Sequence, residues 1–303
     1  MICYQERRFG PRSLAVIRNA NAIIEEYQEL GFVLTLRQLY YQFVARELLP
    51  NKQSEYKRLG DIIKDARLAR LVDFEAIEDR TRNLVSLAHW SSPDHIVNAC
   101  VSSYLEDKWA HQKVRIEVWV EKEALSGVFD RICSTLDVAL FACRGYVSLS
   151  ELWVAAKRLR SYESAGQETI ILHFGDHDPS GIDMTRDIAD RLLRFGSTVS
   201  IRRIALNMDQ IRKHNLPQNP AKETDSRFQG YAVRFGRKSW ELDALDPLQL
   251  AELVESQVGA LRDAAAWDKS LQREDANKKF LTVASKNWPA LVEHMREAYS
   301  DDI

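Results

Sequence analysis

The chain has 303 residues, 45% of them apolar, and a formal net charge of −2. That length allows a sizeable core and two domains, while the near-neutral charge excludes a polycationic binder, so any nucleic-acid contact must come from a local basic surface. No apolar stretch approaches the ~20 residues of a membrane span, and the charged start MICYQERRFG lacks a signal-peptide run.

Cys3, Cys100, Cys133 and Cys143 show neither CxxC pairing nor zinc spacing. Reduced thiols and a cytoplasmic location are therefore expected.

Residues 12 to 30 have helical periodicity and stop at Gly31. Thr35 suits the N-cap of a second helix running to about Leu49, where Pro50 and Asn51 turn the chain. Ser54 suits the cap of a third helix, EYKRLGDIIKDARLARL, and VDFEAIEDRTR reads as an extended segment with a charged turn. This order predicts a winged helix-turn-helix domain over 1–85. Residues 86–112 read as a linker with one helix.

From 113 onward strands alternate with helices. VRIEVWV, VALFAC, TIILHF and TVSIRRIAL are the strands; helices are expected over Glu123–Leu136, 149–165 and Gly181–Phe195. The alternation predicts an α/β domain over 113–303 with a mostly parallel sheet covered on both faces. Residues 207–240 read as a long ordered loop, and the segment from Pro247 as a helical C-terminal part.

The run VRIEVWV ends in Glu121, and TIILHF ends in GDHDPSG, which carries Asp176 and Asp178. In open α/β sheets ligands bind beyond the carboxyl ends of the strands. Carboxylate oxygens there suit Mg²⁺ (or Mn²⁺), and the two aspartates project to one side if the backbone stays extended. The ordinary alternatives are a solvated turn or helix cap for each aspartate and a helix-start residue for Glu121. His177 is expected on the other side as a structural residue, Glu123 in the first turn of the following helix, and Lys122 as an exposed lysine.

On a helical wheel Leu36, Leu39, Tyr40, Phe43 and Val44 form one stripe, so Tyr40 belongs to a core. Tyr41 falls about 130° from the stripe's centre, one turn after Arg37 and facing outward. On the third helix Lys57, Lys64 and Arg67 share a sector of about 80°, opposite the apolar Leu59, Ile62, Ile63 and Ala66. That strip suits phosphate contact or an ordinary solvated face.

These motifs together carry a resemblance. VEKEALSGVFDRI with FGDHDPSGIDM is similar to the Toprim domain of the topoisomerase VI A subunit and of the meiotic double-strand-break proteins, and WELDAL resembles the closing part of that domain. The same family places a winged helix first, with an R-x-x-aromatic-Tyr pattern that Arg37-Gln38-Leu39-Tyr40-Tyr41 matches. The resemblance implies a DNA-cleaving enzyme in which Tyr41 attacks a phosphorus and Arg37 assists. Glu121 would serve as acid/base or metal ligand, Asp176 and Asp178 as metal ligands, and Lys57, Lys64 and Arg67 as DNA contacts.

It also implies a homodimer whose sites combine the tyrosine of one chain with the metal of the other, and an ATPase partner for strand passage, since the chain has no P-loop. Two departures stand out: Ser180 replaces a usual aromatic, and the family's acidic, arginine-containing segment is missing near RGYVSLSEL. FGDHDPSG is similar as well to the Toprim subunit of Wadjet-type plasmid-defence systems. A hydrolytic Toprim nuclease without a covalent tyrosine, or a non-catalytic DNA-binding protein, are therefore the competing expectations.

Overall fold

The computed structural model describes residues 3–77 and 89–298. Among them two compact units form: 3–77 together with 116–260, and 89–115 together with 261–298.

The first unit begins with three helices, α1 (Pro11–Glu29), α2 (Leu36–Ala45) and α3 (Gln53–Leu68). Thr35 starts α2 by a capping box: its hydroxyl accepts from the Gln38 N–H at 3.3 Å, and the Gln38 side chain accepts from the Thr35 N–H at 2.8 Å. We expect Thr35→Ala to lower stability by about 1 kcal/mol in urea denaturation. Leu39, Tyr40 and Phe43 of α2 are buried, as are Leu59, Ile63 and Ala66 of α3. A single parallel bridge joins Leu34 to Ile77. The charged turn expected at 78–82 lies outside the described residues.

The same unit continues as a four-stranded parallel sheet, β1 (Val114–Val120), β2 (Ala139–Ala142), β3 (Glu168–Phe174) and β4 (Ser200–Ala205), in the order β2-β1-β3-β4. The helices α5 (Ser126–Thr135), α6 (Leu149–Ser164) and α7 (Pro179–Arg194) alternate with the strands. Trp119 and Ile171 share one cluster with Leu152, Ala155 and Ile188 of α6 and α7. On the opposite face Phe174 meets Phe129 of α5, ring centroids 4.8 Å apart. Burial on both faces explains why β1 and β3 read as near-continuous apolar runs.

Within β1 one charge is buried. Glu117 accepts from Arg158 at 2.8 and 2.9 Å and from the Trp119 indole at 2.9 Å, so both its oxygens are satisfied.

The stretch 207–240 is not one loop. It holds α8 (Met208–Lys213), α9 (Phe228–Phe235) and a two-residue antiparallel ribbon of β5 (Asn219–Pro220) with β6 (Lys238–Ser239). The Pro and Asn content that suggested a loop marks the short connections between these pieces. α10 (Pro247–Leu261) follows.

The second unit contains α4 (Pro93–Ser103), α11 (Ala264–Lys286) and α12 (Trp288–Ala298). Trp109 packs on Trp267, ring centroids 5.9 Å apart, and Lys108 pairs with Glu274 at 2.9 Å. No helix among the described residues is long and apolar enough to cross a membrane.

Candidate functional site

The sheet order fixes where a ligand site can form. The connections leaving β1 and β3 run to opposite sides, so the crevice beyond their carboxyl ends is a topological switch point. Glu121 stands there directly after β1, its N–H bonded to Phe174 O at 2.9 Å, and the Asp176-His177-Asp178 turn stands there after β3. Glu121 Oε2 accepts from the Asp176 N–H at 2.8 Å, which locks the two strand ends together.

Two glycines permit this approach. A Cβ at position 181 would stand 2.3 Å from Asp176 O, and one at 175 would stand 2.9 Å from Glu121 Oε2.

Arg203 of β4 holds the turn from beneath. Its guanidinium donates to Gly175 O (3.0 Å), Asp176 O (2.6 Å), Gly181 O (2.9 Å) and Thr185 Oγ1 (3.0 Å). Burial lowers its pKa to about 10 despite the nearby carboxylates. His177 is buried; its Nδ1 lies 2.8 Å from the Tyr231 hydroxyl, and its backbone pairs with Trp240. Glu123 pairs with Arg144.

Lys122 is not an exposed lysine. Its side chain is 21% exposed, and its Nζ lies 2.9 Å from Asp176 Oδ2, 3.0 Å from Glu241 Oε2 and 2.7 Å from Asp243 Oδ2. Burial weighs against the ammonium, but Asp176, Asp243 and Glu241 outweigh it and hold its pKa above the usual lysine value. Asp176 Oδ1 accepts from the Leu242 N–H at 2.8 Å. Thus the WELDAL segment closes over the two strand ends and adds two carboxylates to them.

The site is short of positive charge. Burial, reinforced by Asp176, pushes Glu121 up to about 7. Burial raises Asp176 to about 6 although Lys122 opposes the rise. A carboxylate whose folded pKa lies above its ordinary value binds its proton more tightly in the folded state. The stability it contributes is complete below pH about 4.5 and is lost as pH rises through about 7. In a chelator we expect stability to fall as pH rises over that window, with Glu121 and its neighbour Asp176 carrying the fall together. Urea denaturation at a series of pH values should record the slope, and Glu121→Gln should flatten it.

The expected three-carboxylate ring does not gather around one point: no group of three His, Cys, Asp or Glu among the described residues does so. The DHD backbone stays extended through Asp178 (φ −140°, ψ 175°), and Pro179 starts α7 directly after it. Asp178 becomes its N-cap, accepting from the Gly181 N–H at 2.6 Å and the Ser180 hydroxyl at 3.0 Å. The donor chemistry nevertheless fits a hard divalent cation. Glu121 accepts a hydrogen bond from the Asp176 backbone N–H, and Asp243 Oδ1 is buried with no hydrogen-bond partner among the described residues.

Tyr41 departs from its expected outward position. It is 4% exposed, because the 241–245 segment covers the face of α2 opposite the apolar stripe. Its hydroxyl faces Glu241 and Asn219. Burial and Glu241 raise its pKa, while Asn219, Arg37 and Lys122 oppose the rise. Arg37 pairs with Glu241, its Nε 3.2 Å from Oε2. Glu241 is held below the usual carboxylate range, its burial outweighed by Lys122 and Arg37. Tyr40 is a core residue whose hydroxyl accepts from the Lys52 N–H at 2.8 Å.

Arg37 and Tyr41 line a cleft of about 400 Å³ together with Lys52, Asp178, Lys222 and Glu241. The helix that carries the tyrosine and the β3 tip that carries Asp178 therefore meet in one cleft of one chain.

Of the basic strip, Lys57 and Lys64 are exposed, with Lys64 3.8 Å from Asp61. Arg67 is committed elsewhere: it donates to Phe74 O and to Ile77 O (3.2 Å) and stacks on the Phe74 ring at 4.7 Å. It therefore anchors the following segment rather than standing out on the helix face.

Sequence reasoning missed Glu241, Asp243 and Arg203 as site residues. The alternating acids of WELDAL were the available signal for the first two; an arginine inside a strand gave none for the third. Comparison with protein-family models, with curated proteins and with solved structures finds no match for this chain.

Proposed function

We propose that this protein is a divalent-metal-dependent, DNA-cleaving transesterase of the topoisomerase VI A kind, with a winged-helix domain carrying Tyr41 and a Toprim domain carrying the acids. The observation that supports it best is the shared cleft, in which Arg37 and Tyr41 stand with Asp178, Glu241, Lys52 and Lys222. A phosphodiester in such a cleft meets cations on two walls. Arg37 and Lys52 would hold the phosphate oxygens. Glu241, held ionised and facing the phenol, would take the Tyr41 proton as the oxygen attacks phosphorus.

The phosphorus–oxygen bond to the sugar breaks as the phosphotyrosyl ester forms; the leaving sugar oxygen takes up a proton from solvent, matching the one the phenol gives to Glu241, and the new ester keeps the energy of the old one. Burial of Tyr41 excludes competing water. Glu121 and Asp178, joined by Asp176, are the residues that would hold Mg²⁺ or Mn²⁺, which stabilises developing charge on phosphate when bound. The resemblance implied a tyrosine from one chain and acids from another; the cleft favours cleavage within one chain. A homodimer would set two such clefts on the two strands of a duplex, Lys57 and Lys64 would contact the flanking backbone, and an ATPase partner would supply strand passage.

The test is a covalent trap. Supercoiled plasmid with Mg²⁺ or Mn²⁺, stopped with detergent, should yield DNA with protein attached at its 5′ ends. A second reading is a Toprim nuclease that hydrolyses DNA. The raised pKa of the buried Tyr41 favours it, because such a phenol is a poorer nucleophile. Clean 5′ phosphates with no attached protein would select that reading.

A further inference from the structure

Lys122 touches acids from both walls of the site: Asp176 after the end of β3, and Glu241 and Asp243 in the closing segment. Its three contacts, at 2.9, 3.0 and 2.7 Å, have the donor–acceptor lengths of charge-assisted bonds. Asp176 thereby spends Oδ2 on the ammonium and Oδ1 on the Leu242 N–H. An ion seeking Asp176 must take Oδ2 from Lys122. Independently of that contact, Asp243 Oδ1 is fully buried and has no hydrogen-bond partner among the described residues, while its Oδ2 pairs with the ammonium. A buried carboxylate oxygen left so is costly unless something else reaches it.

We propose that Lys122 is an internal counter-ion that competes with the divalent cation for Asp176, and so sets the metal affinity of the site. This rests on the reading of Glu121, Asp176 and Asp178 as metal ligands. On metal entry the ammonium gives up Asp176 and keeps Glu241 and Asp243. Because Glu241 also pairs with Arg37 and faces Tyr41, the lysine that yields to metal stays tied to the tyrosine's carboxylate. A protein without metal would in this way keep its acids neutralised and its fold closed. A protein with metal would have the lysine's charge moved toward the cleft, where phosphate arrives.

Two like charges within a few ångströms repel by several times the thermal energy even when well screened. Removing the ammonium should therefore tighten metal binding.

The experiment titrates Mn²⁺ into wild type, Lys122→Met, Lys122→Arg and Asp176→Asn, following free Mn²⁺ by electron paramagnetic resonance, with no DNA present. Lys122→Met should bind Mn²⁺ about tenfold more tightly or better, Lys122→Arg as wild type, and Asp176→Asn about tenfold more weakly or worse. In thermal melts Mn²⁺ should stabilise Lys122→Met more than wild type. A folded Lys122→Met that binds Mn²⁺ no better than wild type overturns the proposal while leaving the metal site standing. Failure of every form, wild type included, to bind Mn²⁺ overturns the metal reading and the proposal together. If Lys122→Met unfolds in chelator, Lys122→Gln takes its place, and failure of Mn²⁺ to refold either one also counts against competition.

Discussion

Tyr41→Phe should abolish the covalent protein–DNA adduct, reducing its yield by at least about 10⁴-fold, without unfolding the protein. The ring stays, so the packing of Tyr41 against Tyr40, ring centroids 5.5 Å apart, is kept. What is lost is a hydroxyl facing Glu241 and Asn219, worth about 1 kcal/mol. Glu241 keeps Arg37 and Lys122, so no charge is orphaned. The phenylalanine variant should therefore melt within a few degrees of wild type and retain DNA binding in a gel-shift assay. Cleavage that persists at the wild-type rate with free 5′ ends would assign the chemistry to hydrolysis and leave Tyr41 a packing residue.

Asp176→Ala should remove cleavage of either kind, by about 10³-fold or more, because it takes away a carboxylate that both mechanisms need. The alanine also leaves the Leu242 N–H without its acceptor and strips one of three carboxylates from Lys122. Some loss of stability is thus expected, on the order of 1–3 kcal/mol. Asp176→Asn separates the two effects: the amide oxygen still accepts from Leu242, so the fold should hold while cleavage stays lost. Plasmid-nicking rates and urea denaturation, run on both variants, make the comparison. An asparagine variant that cleaves as wild type would remove Asp176 from the chemistry.

Much of this architecture was legible in the chain. Thr35 announced the start of α2, because an N-cap is local, and the structure adds Gln38 to it as a capping box. The β1 and β3 runs announced buried parallel strands, because a strand covered on both faces cannot alternate with polar residues. Those runs also marked Glu121 and Asp176 as strand-end residues, while the strand order that sets the two ends in one crevice came from the fold. The 3.6-residue period likewise assigned Tyr40 to a core.

What the period does not tell is what covers the other face of a helix. Tyr41 lies on the polar side of α2 by sequence, yet it is buried because residues 241–245, two hundred positions later, lie against it. Lys122 looked like a surface lysine until Asp176, Glu241 and Asp243 closed around it, and Arg67 looked like a DNA contact until residues 74–77 accepted its hydrogen bonds.

The sequence by itself determined the main helices, the four sheet strands and their ends, since hydrophobic burial and capping act over a few residues; the short pieces within 207–240 were left to the fold. Tertiary structure alone decided which charges neutralise which, since an ion pair depends on distance in space and is indifferent to separation along the chain.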